Sequence, residues 1–281
     1  MVVRILIIGG SGYIGSKVVA YLKSNMPNSE IVCCDVATAG GGRYQDLTQD
    51  YIEVFDSIIW LAGHSSVLQA VTDPVGALRN NLVDLFEFGL KLNQGQIFIY
   101  ASSASVYNRP DKSLAVETDE LQTPLNAYDL SKKWFDEIST NLAAQTYGLR
   151  FGTVSGMSPN MRTDLIINAM VSSALQNGSI KIKNEFSMRS ILGISDLAHA
   201  VKSVLVECPE IGIYNVASES ATIGEIGQRI ADVLGVPVNF APSDGTYNFQ
   251  VSTRKLEKYT SWRSTETIES LVADLRVGLA K

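Results

Sequence analysis

The chain has 281 residues, 46% apolar and 19% charged, with a formal net charge of −6. That length suits one large domain, or a main domain with a smaller lobe, and the composition is that of a soluble globular protein. No basic block appears, so neither nucleic acid nor an anionic membrane is an expected partner.

In chain order, residues 2–9 (VVRILIIG) read as a buried strand, and 13–25 as a helix with Ile14, Val18, Val19 and Leu22 at helical spacing. Strands are expected over 30–35 (EIVCCD) and 56–63 (DSIIWLAG). Asp73-Pro74 then opens a long helix over 73–92. A strand over 95–102 follows, then a helix over 126–148 stopped by Gly148, then a strand over 149–154. Strands without alternation, separated by helices, imply a parallel sheet covered on both faces, hence a doubly wound α/β fold. Beyond residue 155 the pattern loosens. A helix is expected within 163–178, a strand over 212–218 and a helix over 222–235 whose capping box is Thr222 and Glu225. The division expected is a dinucleotide-binding domain over 1–155 and a smaller α/β substrate lobe over 156–281 that returns a strand to the main sheet.

Cys33, Cys34 and Cys208, with His64 and His199, show no metal-ligand spacing. The cysteines read as small buried residues of a reducing compartment, with Cys33 and Cys34 on opposite faces of one strand. The apolar N-terminal run is too short for a signal peptide, and no later stretch approaches a membrane span, so the expected location is the cytoplasm.

The first strand runs into GGSGYIGS. Gly10, Gly12 and Gly15 satisfy one glycine pattern, and Gly9, Gly12 and Gly15 a wider one. Such glycines permit a tight turn and let backbone amides approach a pyrophosphate. Asp35 ends the next strand, where a carboxylate accepts hydrogen bonds from ribose hydroxyls and repels a 2′-phosphate. The pattern therefore favours NAD over NADP, with Arg43 close enough downstream to blur the preference. The plain alternatives are a structural turn and a solvated strand-end acid.

Tyr128 and Lys132 lie four apart on one expected helix, so they share a face. A tyrosine is a poor base at its free pKa near 10, and a neighbouring ammonium favours the phenolate. Residues 100–108 (YASSASVYN) end a strand in serines, one of which can hold a substrate oxygen for proton transfer. Strand-end serines also serve loop backbone.

Together GGSGYIG, CCD, IIWLAG, DPVGALRNN, YASSASVY, YDLSK, LRFGTVSG, RSILGISDLA and IYNVASES resemble the extended short-chain dehydrogenase/reductases, of the nucleotide-sugar epimerase/dehydratase kind, over nearly the whole chain. The resemblance implies a Rossmann fold and NAD as cofactor. It makes Ser103 the catalytic hydroxyl, Tyr128 the base and Lys132 its partner and a cofactor ligand. It assigns Gly9, Gly12, Tyr13, Ile14, Gly15, Asp35, Asp46, Leu47, Leu61, Ala62, Gly63 and Asn80 to the cofactor. Ser103, Ser105, Tyr128, Thr153 and Arg189 fall to the substrate, with Arg189 on its diphosphate. A surface arginine is the alternative for Arg189. The resemblance also implies a homodimer built on the helices over 73–92 and 126–148.

Three positions depart from the family pattern. Thr153 replaces a diphosphate-binding asparagine, Gly193 replaces a histidine, and the segment 242–257 lacks an Arg-Pro-Gly-Asp run. All three are expected on the substrate side. Dehydratases of the family carry Asp-Glu directly after the catalytic hydroxyl, where this chain has Ala104 and Ser105. Ser105 also stands where some epimerase/reductases carry a cysteine, and where decarboxylases keep a glutamate. The expected activity is a 4-epimerase of a nucleotide-diphosphate sugar. A 4-keto-sugar reductase or dehydrogenase is the alternative, and a non-enzymatic dinucleotide-binding protein a further one.

Overall fold

The computed structural model describes residues 2–35, 43–243 and 245–279. β1 (Arg4–Ile8), α1 (Tyr13–Asn25), β2 (Glu30–Cys34), α2 (Gln49–Glu53) and β3 (Ser57–Trp60) open the chain. The helices α3 (Val67–Thr72), α4 (Pro74–Leu78) and α5 (Asp84–Gly89) lead to β4 (Ile97–Ser103) and the short β5 (Leu114–Ala115). Then come α6 (Ala127–Ile138), β6 (Gln145–Phe151), β7 (Thr153–Ser155), α7 (Ile166–Asn177), β8 (Ile180–Ile182) and β9 (Met188–Gly193). The chain continues through α8 (Ile194–Glu207), β10 (Gly212–Val216), β11 (Glu219–Thr222) and α9 (Ile223–Leu234). It finishes with β12 (Val238–Phe240), β13 (Gln250–Val251), α10 (Arg254–Tyr259) and α11 (Ile268–Leu279).

The main sheet is parallel, in the order β10-β6-β4-β3-β1-β2. Its strands are apolar on both faces because both are covered. Ile5 and Ile7 join Val18 and Leu22 of α1 and Leu197 and Val201 of α8 on one side. Leu6 and Ile8 join Leu85 and Phe88 of α5 and Phe135 of α6 on the other. Cys33 packs with the first layer and Cys34 with the second, as alternation along a strand requires. Cys208 does not follow the expectation of burial: it is exposed, in a left-handed conformation that ends α8.

From β1 the chain moves one way to β2 and the other way through β3, β4 and β6. The crevice at the carboxyl ends of β1 and β3 is thus the topological switch point where ligands of such sheets bind. Beyond residue 155, α8 packs on α1 and β10 beside β6, while α7, α9 and α11 enclose a separate apolar cluster with Ile182 and Ile226. The Thr222–Glu225 capping box is present at the start of α9. Among the described residues no helix is long and apolar enough to cross a membrane.

Two expected helices are shorter than the pattern implied. The helix over 73–92 is α4 and α5 joined by a π turn at Arg79–Val83. The widened turn lets two consecutive asparagines reach one residue: Asn80 Nδ2 meets His64 Nδ1 at 3.1 Å and Asn81 Nδ2 donates to His64 O at 3.0 Å. The helix over 126–148 stops at Ile138. There Ser139 Oγ, Thr140 Oγ1 and Asn141 Nδ2 donate to the carbonyls of Asp136, Glu137 and Ile138, at 3.0, 3.1 and 3.1 Å. Three successive polar side chains thus satisfy the carbonyls a longer helix would have used. Gly148 lies inside β6, packed against Tyr100 and Ile213 of neighbouring strands, and is no helix stop.

Candidate active site

The glycine turn is the tightest part of the crevice. Gly9 has φ +86°, and a Cβ there would lie 2.5 Å from Ala62 N, so neither the angle nor the space admits another residue. A Cβ on Gly15 would sit 2.0 Å from Gly9 O, which brings α1 down onto the end of β1. Gly12 is the residue before α1, and no side chain caps that helix. Asp35, just past β2, accepts the Ser11 amide at 2.9 Å and so ties the turn to the second strand.

Two hollows meet here. The first, of about 750 Å³, is lined by Gly9, Asp35, Tyr44, Trp60, Asn80 and others at the ends of β1–β3. The second, of about 470 Å³, is lined by Tyr13, Ile14, Leu61, Ser102, Ser103, Ser105, Tyr128, Lys132, Thr153 and Arg189 among others. Ala62, Gly63, His64 and Leu68 belong to both, so the cleft is continuous. Arg43 also lines the first hollow. Asp46 and Leu47 line neither: Asp46 is exposed, and Leu47 packs against the core beside Tyr44. Their neighbours Tyr44 and Gln45 face the first hollow instead.

The serine, tyrosine and lysine expected to act together do converge. Ser103 ends β4 and its Oγ meets Ser105 Oγ at 2.9 Å. Tyr128 shares the second hollow with Ser103, and the Lys132 ammonium lies 5.8 Å from the centre of the Tyr128 ring. Lys132 Nζ donates to Ala101 O at 2.7 Å. Burial pushes the Tyr128 phenol above its ordinary value, against the pull of Ser103. Burial also brings Lys132 down to about 8, opposed by Asp136 one turn further along α6. Loss of solvent is the largest influence at both groups, pushing each toward its neutral form.

Arg189 is no surface arginine; it is 8% exposed. It donates to Met188 O at 2.8 Å, to Thr246 Oγ1 at 2.6 Å and to Tyr247 O, and its guanidinium lies 5.2 Å over the Phe249 ring. These partners carry no formal charge, and burial lowers Arg189 to about 10. A buried cation held by neutral acceptors beside a hollow is a place for an anion.

Of the departures, Thr153 faces the second hollow, and so do Tyr247 and Phe249 of the late segment. Gly193 does not. Its missing side chain leaves room for Glu266, whose Oε2 accepts the amides of Ser195 and Asp196 at 2.8 and 2.9 Å and caps α8. That glycine serves packing between the end of the chain and α8.

A loop between β7 and α7 spans the cleft. Ser158 Oγ donates to Tyr13 O at 2.6 Å, Asn160 Nδ2 to Ser11 O at 2.7 Å, and Arg162 Nη1 to Ser65 Oγ at 2.9 Å. Asn168 of α7 braces it, accepting the Gly156 amide at 3.0 Å and donating to Arg162 O at 2.7 Å. Tyr13, expected on the cofactor, also spends its hydroxyl on this loop, donating to Gly156 O at 2.7 Å. The sequence carried no local signal for Asn160, Arg162, Tyr247 or Phe249, because each meets the cleft only through contacts far along the chain.

A doubly wound sheet with serine, tyrosine and lysine gathered at its carboxyl edge, beside a glycine turn, defines an enzyme of the extended short-chain dehydrogenase/reductase class. Residues 5–217 match the NAD dependent epimerase/dehydratase family, and the chain belongs to it. It is 23% identical to GDP-6-deoxy-D-mannose reductase of Pseudomonas aeruginosa, over 96% of this chain and 94% of that one. It is 32% identical to a bifunctional UDP-glucose and UDP-xylose 4-epimerase of Arabidopsis thaliana, over 50% of this chain and 48% of that one. In fold it is similar to UDP-glucose 4-epimerase of Thermus thermophilus in complex with NAD, with a TM-score of 0.79 and 23% identity over 97% of this chain and 99% of that one. UDP-glucuronic acid 4-epimerase of Bacillus cereus gives 0.82 and 19%, over 99% and 100%.

Proposed function

We propose that this protein is an NAD-dependent 4-epimerase of a nucleotide-diphosphate sugar, acting through transient oxidation at C4. The observation that carries the reading is the meeting of Ser103, Tyr128, Lys132 and Arg189 in one hollow continuous with the glycine turn. The chain fits the cofactor. Gly9 and Gly15 leave a cradle that a Cβ would fill, and the buried Ser102 hydroxyl facing the second hollow has no partner among the described residues. Gly9, Gly12, Gly15, Asp35, Ala62, Gly63, Asn80 and Lys132 would hold it, and Asp35 favours NAD over NADP. Bound NAD supplies a hydride acceptor that can hand the hydride back.

Tyr128 takes the proton of the 4-hydroxyl and later returns it, and Ser103 hydrogen-bonds the oxygen that becomes carbonyl. The Lys132 ammonium favours the phenolate form that the first step needs. Arg189 and Thr153 would meet the diphosphate. Ala104 is fully buried and Ser105 is a hydroxyl, so the acid–base pair that elimination of water requires is absent from these two positions. The loop 156–165, bonded to Ser11, Tyr13 and Ser65, suits retention of the cofactor between turnovers. A Tyr128→Phe protein that still interconverted epimers at the native rate would sink this reading.

The second reading is a 4-keto-sugar reductase with the same residues. It is favoured by the reductase relative, which aligns with 96% of this chain, whereas the plant epimerase aligns with half. We further infer a homodimer, supported by the exposed Val83, Leu90 and Trp134 on and around α5 and α6. A monomer at micromolar concentration in analytical ultracentrifugation would refute it.

A further inference from the structure

Asp129 lies beside Tyr128 on α6, and the epimerase mechanism leaves it unused. It is 3% exposed. Its Oδ1 accepts from Ser105 Oγ at 2.8 Å, and its Oδ2 from Tyr247 Oη at 2.6 Å and Asn126 Nδ2 at 2.9 Å. All three partners are neutral. Ser105 in turn meets Ser103 Oγ at 2.9 Å, and Ser103 and Tyr128 line the same hollow. Two hydroxyls therefore lead from the hollow that Tyr128 lines to a buried carboxylate. Ser105 lines the substrate hollow, while Asp129 lines a separate shallow cleft with Gln122, Thr123 and Lys133.

We propose that Ser105 and Asp129 extend the catalytic pair into a proton relay, in which Asp129 stores the proton released from the substrate alcohol. The proposal rests on the oxidoreductase reading. When an alcohol carbon loses its hydrogen with two electrons to the cofactor, the hydroxyl proton must also leave. Here it passes to the Tyr128 oxygen. Each hydroxyl then hands on its own proton, Tyr128 to Ser103, Ser103 to Ser105, and Ser105 to the Asp129 carboxylate, which becomes a carboxylic acid. Re-reduction runs the chain backwards, so no proton need enter from solvent within a turnover. Ser105 thereby gains a role through its partner, although a lone serine is a weak base.

Burial supports the role by raising Asp129 toward its protonated form, against the hydrogen bonds of Tyr247, Ser105 and Asn126. The titratable groups around it are Tyr128 and Lys133 on α6 and Tyr247 from the late segment. Tyr247 stays a donor, held above its ordinary value by burial and by Asp129 itself. Asp129 is a positioning residue in this scheme, since it reaches the reacting atoms only through Ser105 and Ser103.

The test follows the Asp129 carboxyl carbon by carbon-13 NMR across pH in the NAD-loaded protein. Tyr128→Phe is introduced into wild-type, S105T and S105A backgrounds. S105C, close to serine in size with a weak donor, replaces S105A should the latter not fold. The relay predicts that Tyr128→Phe moves the Asp129 midpoint by about one pH unit in wild type and S105T, the scale of coupled sites. It predicts no such movement with S105A or S105C. An equal shift in every background, which simple electrostatics gives, or no shift in any, overturns the relay. Neither outcome depends on turnover, so failure here is distinct from failure of the epimerase reading.

Discussion

The first hollow is made from residues between Ile8 and Asn80, while the second draws on residues from Tyr13 to Phe249. One is built where three successive strands end and from the α3–α4 stretch that follows β3, all within the first eighty residues. The other is assembled from β4, α6, the loop before α7, β9 and the segment before β13. A contiguous hollow is constrained by its backbone, as Gly9 illustrates with its left-handed angle and close approach to Ala62. A composite hollow is tuned by side chains that arrive from afar, as Tyr247 does on Asp129. The contrast implies that changes in the second hollow alter chemistry and substrate, and changes in the first alter which dinucleotide binds.

The largest expected effect is Tyr128→Phe, which should lower kcat by about 10³-fold while leaving NAD binding, read by equilibrium dialysis, within about twofold. Loss of NAD binding would blur the two hollows into one. Next is Arg189→Ala, expected to raise KM for a nucleotide-diphosphate sugar by about 10²-fold with a smaller change in kcat, as removal of uniform binding does. An unchanged KM would remove Arg189 from the diphosphate.

Lys132→Met should separate stability from function. Lys132 titrates near 8 in the folded chain against an ordinary value of 10.5, so burial penalises its charged form in full below about pH 8. As pH rises from about 8 to 10.5 the unfolded chain keeps a proton the folded one has lost, and wild-type stability should increase. The variant should lack that slope and unfold at higher denaturant at pH 7, by about 1–2 kcal/mol after losing the bond to Ala101, while losing turnover. A destabilised variant would contradict the burial account. The smallest effect expected is on Asp35→Ser, which should narrow the preference for NAD over NADP by about tenfold, read as a ratio of dissociation constants. An unchanged ratio would move the discrimination to Arg43.

What the sequence disclosed divides along the same line. The bounds of α1, the strand–glycine–helix order and the Tyr128–Lys132 spacing were legible because each is set by neighbours a few residues away. The end of α6 was not, because its stop is three polar side chains bonding back to carbonyls while the helical spacing of Phe135, Ile138 and Leu142 continues past it. Asp129 reads as an ordinary first-turn acid until β4 and the late segment bring Ser105 and Tyr247 to it. Gly193 reads as a substrate-side loss until Glu266, over seventy residues on, is seen filling its space. Asp46 and Leu47 were assigned by resemblance, and a one- or two-residue offset puts Tyr44 and Gln45 at the hollow instead.

The central claim is that hydride leaves and returns within one active site. The direct test incubates the purified protein with a panel of UDP-, GDP-, ADP- and dTDP-linked hexoses and their 4-keto forms, with and without added NADH, following products by chromatography and NADH by absorbance. The account predicts conversion of at least one sugar to its C4 epimer with no added reductant and no net NADH consumed. Consumption of NADH in proportion to reduced product, with no epimer formed in its absence, would contradict it.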